Sequence, residues 1–168
     1  MTERKSFPGI APACWEHPAD KAALAAFASV PGASDLVRRL VGSTAERSFR
    51  LAALASAARV SADQFPGVHR LVAEACRVLD LSPLPEVFVR RGVEPDAFTV
   101  GVERPFIVLS SAALDFWDEA ELLAVIGHEV GHILSGHAVY KTLLEMLLKA
   151  AGFLGGGPLA GVAFAAAK

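Results

Sequence analysis

The chain has 168 residues, 53% of them hydrophobic and 20% charged, with a formal net charge of −2. This is enough apolar material for one globular domain with a substantial core. The balance carries no basic excess of the kind that nucleic-acid binding requires, so no nucleic-acid partner is expected. The opening Met1-Thr2-Glu3-Arg4-Lys5-Ser6-Phe7-Pro8-Gly9 lacks the apolar centre of a signal peptide. Two cysteines, Cys14 and Cys76, match no metal or redox spacing, which favours a reducing, cytoplasmic setting.

From Pro18 to about Asp80 the pattern is helical and rich in alanine. Asp20 to Val30 reads as a helix closed by Pro31-Gly32, and Ser34 to Val41 as a short one stopped at Gly42. Ser43-Thr44-Ala45-Glu46 has the form of a capping box and opens a helix expected to run through about Val60. Ser61-Ala62-Asp63-Gln64 has the same form. The helix after it carries Val68, Leu71, Val72, Ala75, Val78 and Leu79 and ends before Pro83 and Pro85. His17 and His69 in this region read as surface or interface residues.

The period changes at Glu86. Val87-Phe88-Val89, Ala97-Phe98-Thr99-Val100 and Phe106-Ile107-Val108-Leu109 read as three short strands, with a turn at Gly92-Val93-Glu94-Pro95. They predict a small sheet, antiparallel at least in part, set before the next helix. Its edge could hold an extended peptide by main-chain hydrogen bonds, or the strands could simply roof that helix.

Asp118-Glu119-Ala120-Glu121 is a capping box with Asp118 as N-cap. The helix it opens contains His128-Glu129-Val130-Gly131-His132, the HExxH pattern. Residues four apart share a helical face, so His128 and His132 can present their imidazoles to one Zn²⁺. Glu129 beside them is a general base for a water attacking a carbonyl polarised by the metal. The alternative is a polar pair satisfied within a core helix. Leu122, Leu123, Val125, Ile126, Ile133 and Leu134 make the rest of the segment apolar, and burying such groups without a metal is costly.

The runs Asp96-Ala97-Phe98, Ile107-Val108-Leu109-Ser110-Ser111 and Glu119 through His132 together resemble the HtpX and CAAX-endoprotease family of gluzincin zinc peptidases, metallopeptidase family forty-eight. The resemblance covers about the second half of the chain. It implies that His128 and His132 bind zinc, that Glu129 is the general base, and that Ala97 and Phe98 belong to a substrate-binding strand beside the cleft. Asp96 stands where the family usually has Asn. The implied activity is a zinc endopeptidase acting on a peptide or unfolded protein. The expected fold is α+β, a mainly helical zincin-like domain with a three-stranded sheet packed on the HExxH helix. Residues 1–85 form its helical part; residues 86–168 hold the sheet, the HExxH helix and an apolar C-terminal segment.

The family's third ligand is a Glu on a later helix, and its motif is missing here. Glu145 is the one carboxylate side chain downstream, and a continuous helix would turn it roughly 140° from the histidine face. A break at Ser135-Gly136 would remove that objection. His137 falls five residues after His132, where the metzincin pattern needs six. Residues 150–167 carry no charge and include Gly155-Gly156-Gly157-Pro158. They read as a buried helical hairpin, with membrane association as the alternative, and homo-oligomer formation is open. They also suggest a truncated chain whose next helix supplies the ligand. A second function class therefore stands beside the peptidase: a truncated or non-catalytic domain that acts as an interaction or membrane-associated module.

Overall fold

A computed structural model of the protein describes residues 4–11, 14, 43–101 and 104–136. The expected helices at Asp20–Val30 and Ser34–Val41, and also His17, His137, Glu145 and residues 150–167, lie outside the described residues. The described elements are α1 (Ser43–Ser56), β1 (Ala57–Arg59), α2 (Pro66–Leu79), β2 (Glu86–Arg90), β3 (Ala97–Val100), β4 (Phe106–Ser110), α3 (Ser111–Phe116) and α4 (Glu119–Leu134). The class is α+β, but the sheet has four strands rather than three, in the order β1-β2-β4-β3. β1 is antiparallel to β2, β2 is parallel to β4, and β3 is antiparallel to β4.

The additional strand lies where the local pattern favours helix. α1 begins at Ser43 as expected but stops at Ser56, and Ala57, Ala58 and Arg59 pair with Arg90, Val89 and Phe88. The ladder continues as the Val60 amide donates to the Val87 carbonyl at 2.8 Å. Alanine prefers helix by only a few tenths of a kcal/mol over most residues, roughly the weight of a weak prior, and a tertiary strand partner overrides it.

A second correction concerns the start of α2. Ser61 does not cap that helix: its hydroxyl accepts from the amides of Asp63 and Gln64 at 3.3 and 3.0 Å, closing a separate turn. The helix starts at Pro66, after Phe65 in the left-handed region (φ 59°). Proline suits a first helical position, where its fixed φ is correct and its missing N–H has no partner to lose.

The sheet is covered on both faces. Val87, Val89, Ile107 and Leu109 join Leu71, Val72, Ala75 and Cys76 of α2 and Leu122, Ile126 and Val130 of α4 in the main core. Phe88, Phe106 and Val108 form a smaller cluster on the opposite face, with Ala53, Ala57, Phe98 and Val100 against it. Phe88 and Phe106 meet edge to face at 5.5 Å. Burial on both faces explains why β2 and β4 read as unbroken apolar runs.

Candidate metal centre

α4 begins with the expected capping box in full. Asp118 Oδ1 accepts from the amides of Ala120 and Glu121 at 2.8 and 2.9 Å, and Glu121 Oε2 accepts from the Asp118 amide at 2.9 Å. The helix ends at Leu134, two residues past His132. The amides of Ser135 and Gly136 bond back to the carbonyls of Gly131 and Ile133, and Gly136 takes φ 68°, a conformation natural to glycine. The chain therefore leaves the helical path at Ser135-Gly136, as the break considered for Glu145 requires.

The helical period places the three motif residues differently. Leu122, Ile126, Glu129 and Val130 share the buried stripe. Glu129 thus occupies a core position and is 3% exposed. His128 and His132 lie on the adjoining stripe, the first exposed and the second half-buried. The expectation of a histidine pair sunk in an apolar element is corrected: the carboxylate is buried and the imidazoles sit at its margin, because 3.6 residues per turn set position 129 against the sheet and rotate 128 and 132 outward.

His128 Nε2 and His132 Nε2 are 3.0 Å apart, with their rings nearly perpendicular at 78°. One ligand atom from each of His128, Glu129 and His132 falls within 4.8 Å of the others. The two imidazoles of this group suit zinc, with the Glu129 carboxylate left beside them. Two imidazole nitrogens on a tetrahedral Zn²⁺ stand about 3.3 Å apart, so the pair needs to open by only a few tenths of an ångström.

β3 adds a residue that the motif did not reveal. Register puts Ala97 beside Leu109 and Thr99 beside Ile107, on the α4 side of the sheet. Phe98 pairs with Val108 on the other face, and the Arg90 guanidinium lies 5.5 Å above its ring. Of the two residues expected to line a substrate strand, Ala97 therefore faces the helix and the Phe98 ring faces away. Thr99 is 2% exposed, and its hydroxyl donates to Glu129 Oε2 at 2.6 Å. The period-2 alternation of a strand carries this signal: once Phe98 faces one side, Thr99 must face the other.

Ser110 and Ser111 fix the loop that leads into β3. The Ser110 hydroxyl donates to the Glu94 carbonyl at 2.8 Å and accepts from the Asp96 and Ala113 amides at 3.0 and 3.1 Å. The Ser111 hydroxyl donates to the Gly92 carbonyl at 3.1 Å and accepts from its amide at 3.2 Å. Gly92 is closely approached: a Cβ there would stand 2.9 Å from the Ser110 Cβ. His69 is half-buried on α2, outside the cluster of potential metal ligands.

Comparison with known proteins places these residues in context. The family model described as Peptidase family M48 matches residues 62–168. The chain is 31% identical over 135 residues to the plastoglobule-localized metallopeptidase 48, chloroplastic, of Arabidopsis thaliana, covering 79% of this chain and 39% of that protein. It is 39% identical over 80 residues to a protease HtpX homolog of Bacillus subtilis, covering 46% of this chain and 26% of the relative. The chain thus spans well under half the length of either relative. No solved structure matches.

Proposed function

The chain belongs to peptidase family M48, and we propose that it forms the zinc-binding and proton-transferring part of an endopeptidase acting on peptides or unfolded proteins. The observation that carries this reading is the juxtaposition of two imidazole nitrogens 3.0 Å apart with a buried carboxylate one residue away. His128 and His132 would hold zinc through Nε2. Bound there, zinc supplies Lewis acidity toward water and toward the carbonyl oxygen of the scissile bond. Glu129 takes a proton from the attacking water as its oxygen bonds to the carbonyl carbon, and returns it to the amine nitrogen as the C–N bond breaks.

β3 is the sheet edge on this side, because within the described sheet it pairs only with β4. Its main chain at Ala97 and Phe98 would accept an extended substrate strand beside the helix. With its ring on the far side of the sheet, Phe98 would contribute backbone groups rather than an aromatic pocket. A third zinc ligand is assigned to the chain beyond Gly136. Glu145 is its candidate.

Cys14 and Cys76 match no metal or redox spacing, and on that ground we propose a reducing compartment. No helix among the described residues is long and apolar enough to cross a membrane.

Zinc content and hydrolysis of an unfolded protein test this reading together. Near-stoichiometric zinc, lost in His128→Ala, and hydrolysis abolished in Glu129→Gln with zinc retained are the expected results. Absence of both zinc and hydrolysis would return the chain to the second class, an interaction module.

A further inference from the structure

Three polar side chains are buried among the described residues: Thr99, Ser110 and Glu129. Ser110 is accounted for by the loop that it ties down. Thr99 and Glu129 are bonded to each other, from an edge strand and a helix thirty positions apart in sequence. The 2.6 Å contact is a short hydrogen bond donated by the hydroxyl to the carboxylate. The same hydroxyl oxygen stands 3.3 Å from the Glu129 main-chain carbonyl, so it reaches both ends of the residue.

From this geometry we infer that Thr99 is a positioning residue for the general base. Its hydroxyl holds Glu129 Oε2 and leaves Oε1 as the oxygen that takes the proton. A carboxylate with both oxygens loose could turn about its last torsion, which is broad and poorly restrained in itself. Anchoring one oxygen to the sheet removes that freedom. It also ties the base to β3, so that the strand proposed to align the substrate and the group that moves the proton keep one geometry. The inference rests on the peptidase reading above. It adds a residue outside the HExxH motif, placed by the fold.

The test compares Thr99→Val, which keeps shape and loses the hydroxyl, with Thr99→Ser, which keeps the hydroxyl, and with Glu129→Gln, in the full zinc-loaded chain. In Thr99→Val, kcat is expected to fall roughly 10- to 100-fold, the loss typical of outer-shell partners, with KM and zinc affinity within about twofold. Thr99→Ser is expected to recover kcat to within about threefold of the parent. Carbon NMR of the metal-free protein supplies a readout independent of turnover. The Glu129 carboxyl resonance moves in Thr99→Val and returns in Thr99→Ser, and the unsubstituted protein shows a slowly exchanging Thr99 hydroxyl proton close to the Glu129 side chain.

Thr99→Val with parental kcat beside an inactive Glu129→Gln would overturn this inference alone. A Thr99→Ser variant as slow as Thr99→Val would do the same, as would the absence of the hydroxyl contact, a measurement that needs no variant to fold. Undiminished hydrolysis by Glu129→Gln would overturn the peptidase reading and this inference with it.

Discussion

Arg90 Nη2 and Asp96 Oδ2 stand 2.8 Å apart, bridging the end of β2 to the start of β3. The acid at this position, where the resembled family usually has Asn, thus has a partner of opposite charge. Both side chains are close to half exposed, at 40% and 46%, so the pair is screened. Asp96→Asn keeps an acceptor for Arg90 and should cost less than about 1 kcal/mol of stability in urea unfolding. The difference should shrink further at high salt. A loss above about 2 kcal/mol would mean that the pair is more desolvated than its exposure indicates.

The helix carrying His128 and His132 is anchored at its start by Asp118. Replacing it with Ala removes acceptors for the amides of Ala120 and Glu121 and should cost about 1 kcal/mol. Asp118→Ser should restore most of the loss. Equal stability of all three proteins would show that α4 is held by packing alone, with Ile126 and Val130 fully buried against the core.

Arg70 and Glu119 form a two-pronged pair between α2 and α4, at 3.1 and 3.0 Å. Hydrogen bonding to Arg70, followed by its charge, holds the Glu119 carboxyl below the usual range. A carboxyl lowered in the folded state adds stability that is present above its unfolded value of about 4.3 and is lost as pH falls through the folded value. The stability gap between the parent and Glu119→Gln should therefore be open at about pH 7 and narrow progressively as pH falls below about 4.3. It should also narrow in strong salt, since the pair is exposed. A gap that persists in acid would assign the effect to something other than ionisation.

The two thiols should separate by reactivity. Burial pushes the Cys76 thiol up to about 11, whereas Cys14 is exposed. An alkylating reagent at about pH 8 should label Cys14 and spare Cys76 until denaturant is added, as read by peptide mass mapping. Comparable rates at both sites in the native protein would show that α2 opens readily.

The features legible in the sequence are those whose partners lie close along the chain. The Asp118 capping box spans three positions and appears as read. The strands at 86–90, 97–100 and 106–110 follow from their composition, and the histidine pair follows from a spacing of four on a helix. The stop at Ser135-Gly136 was a conditional reading that the positive φ of Gly136 fulfils.

Tertiary pairing decided the rest. Ala57–Arg59 became a strand because Phe88–Arg90 lay open to receive it, thirty residues away, and local propensity is too weak to resist a ladder. Pro66 rather than Ser61 set the start of α2 once Ser61 was engaged in its own turn. Local spacing alone singles out His128 and His132 as candidate metal ligands and Glu129 as a candidate base. Only the fold decided that Glu129 is buried, that the Phe98 ring faces away, and that Thr99 reaches the carboxylate. Those outcomes depend on which face of β3 meets which stripe of α4, a choice fixed by packing and register rather than by any local run of residues.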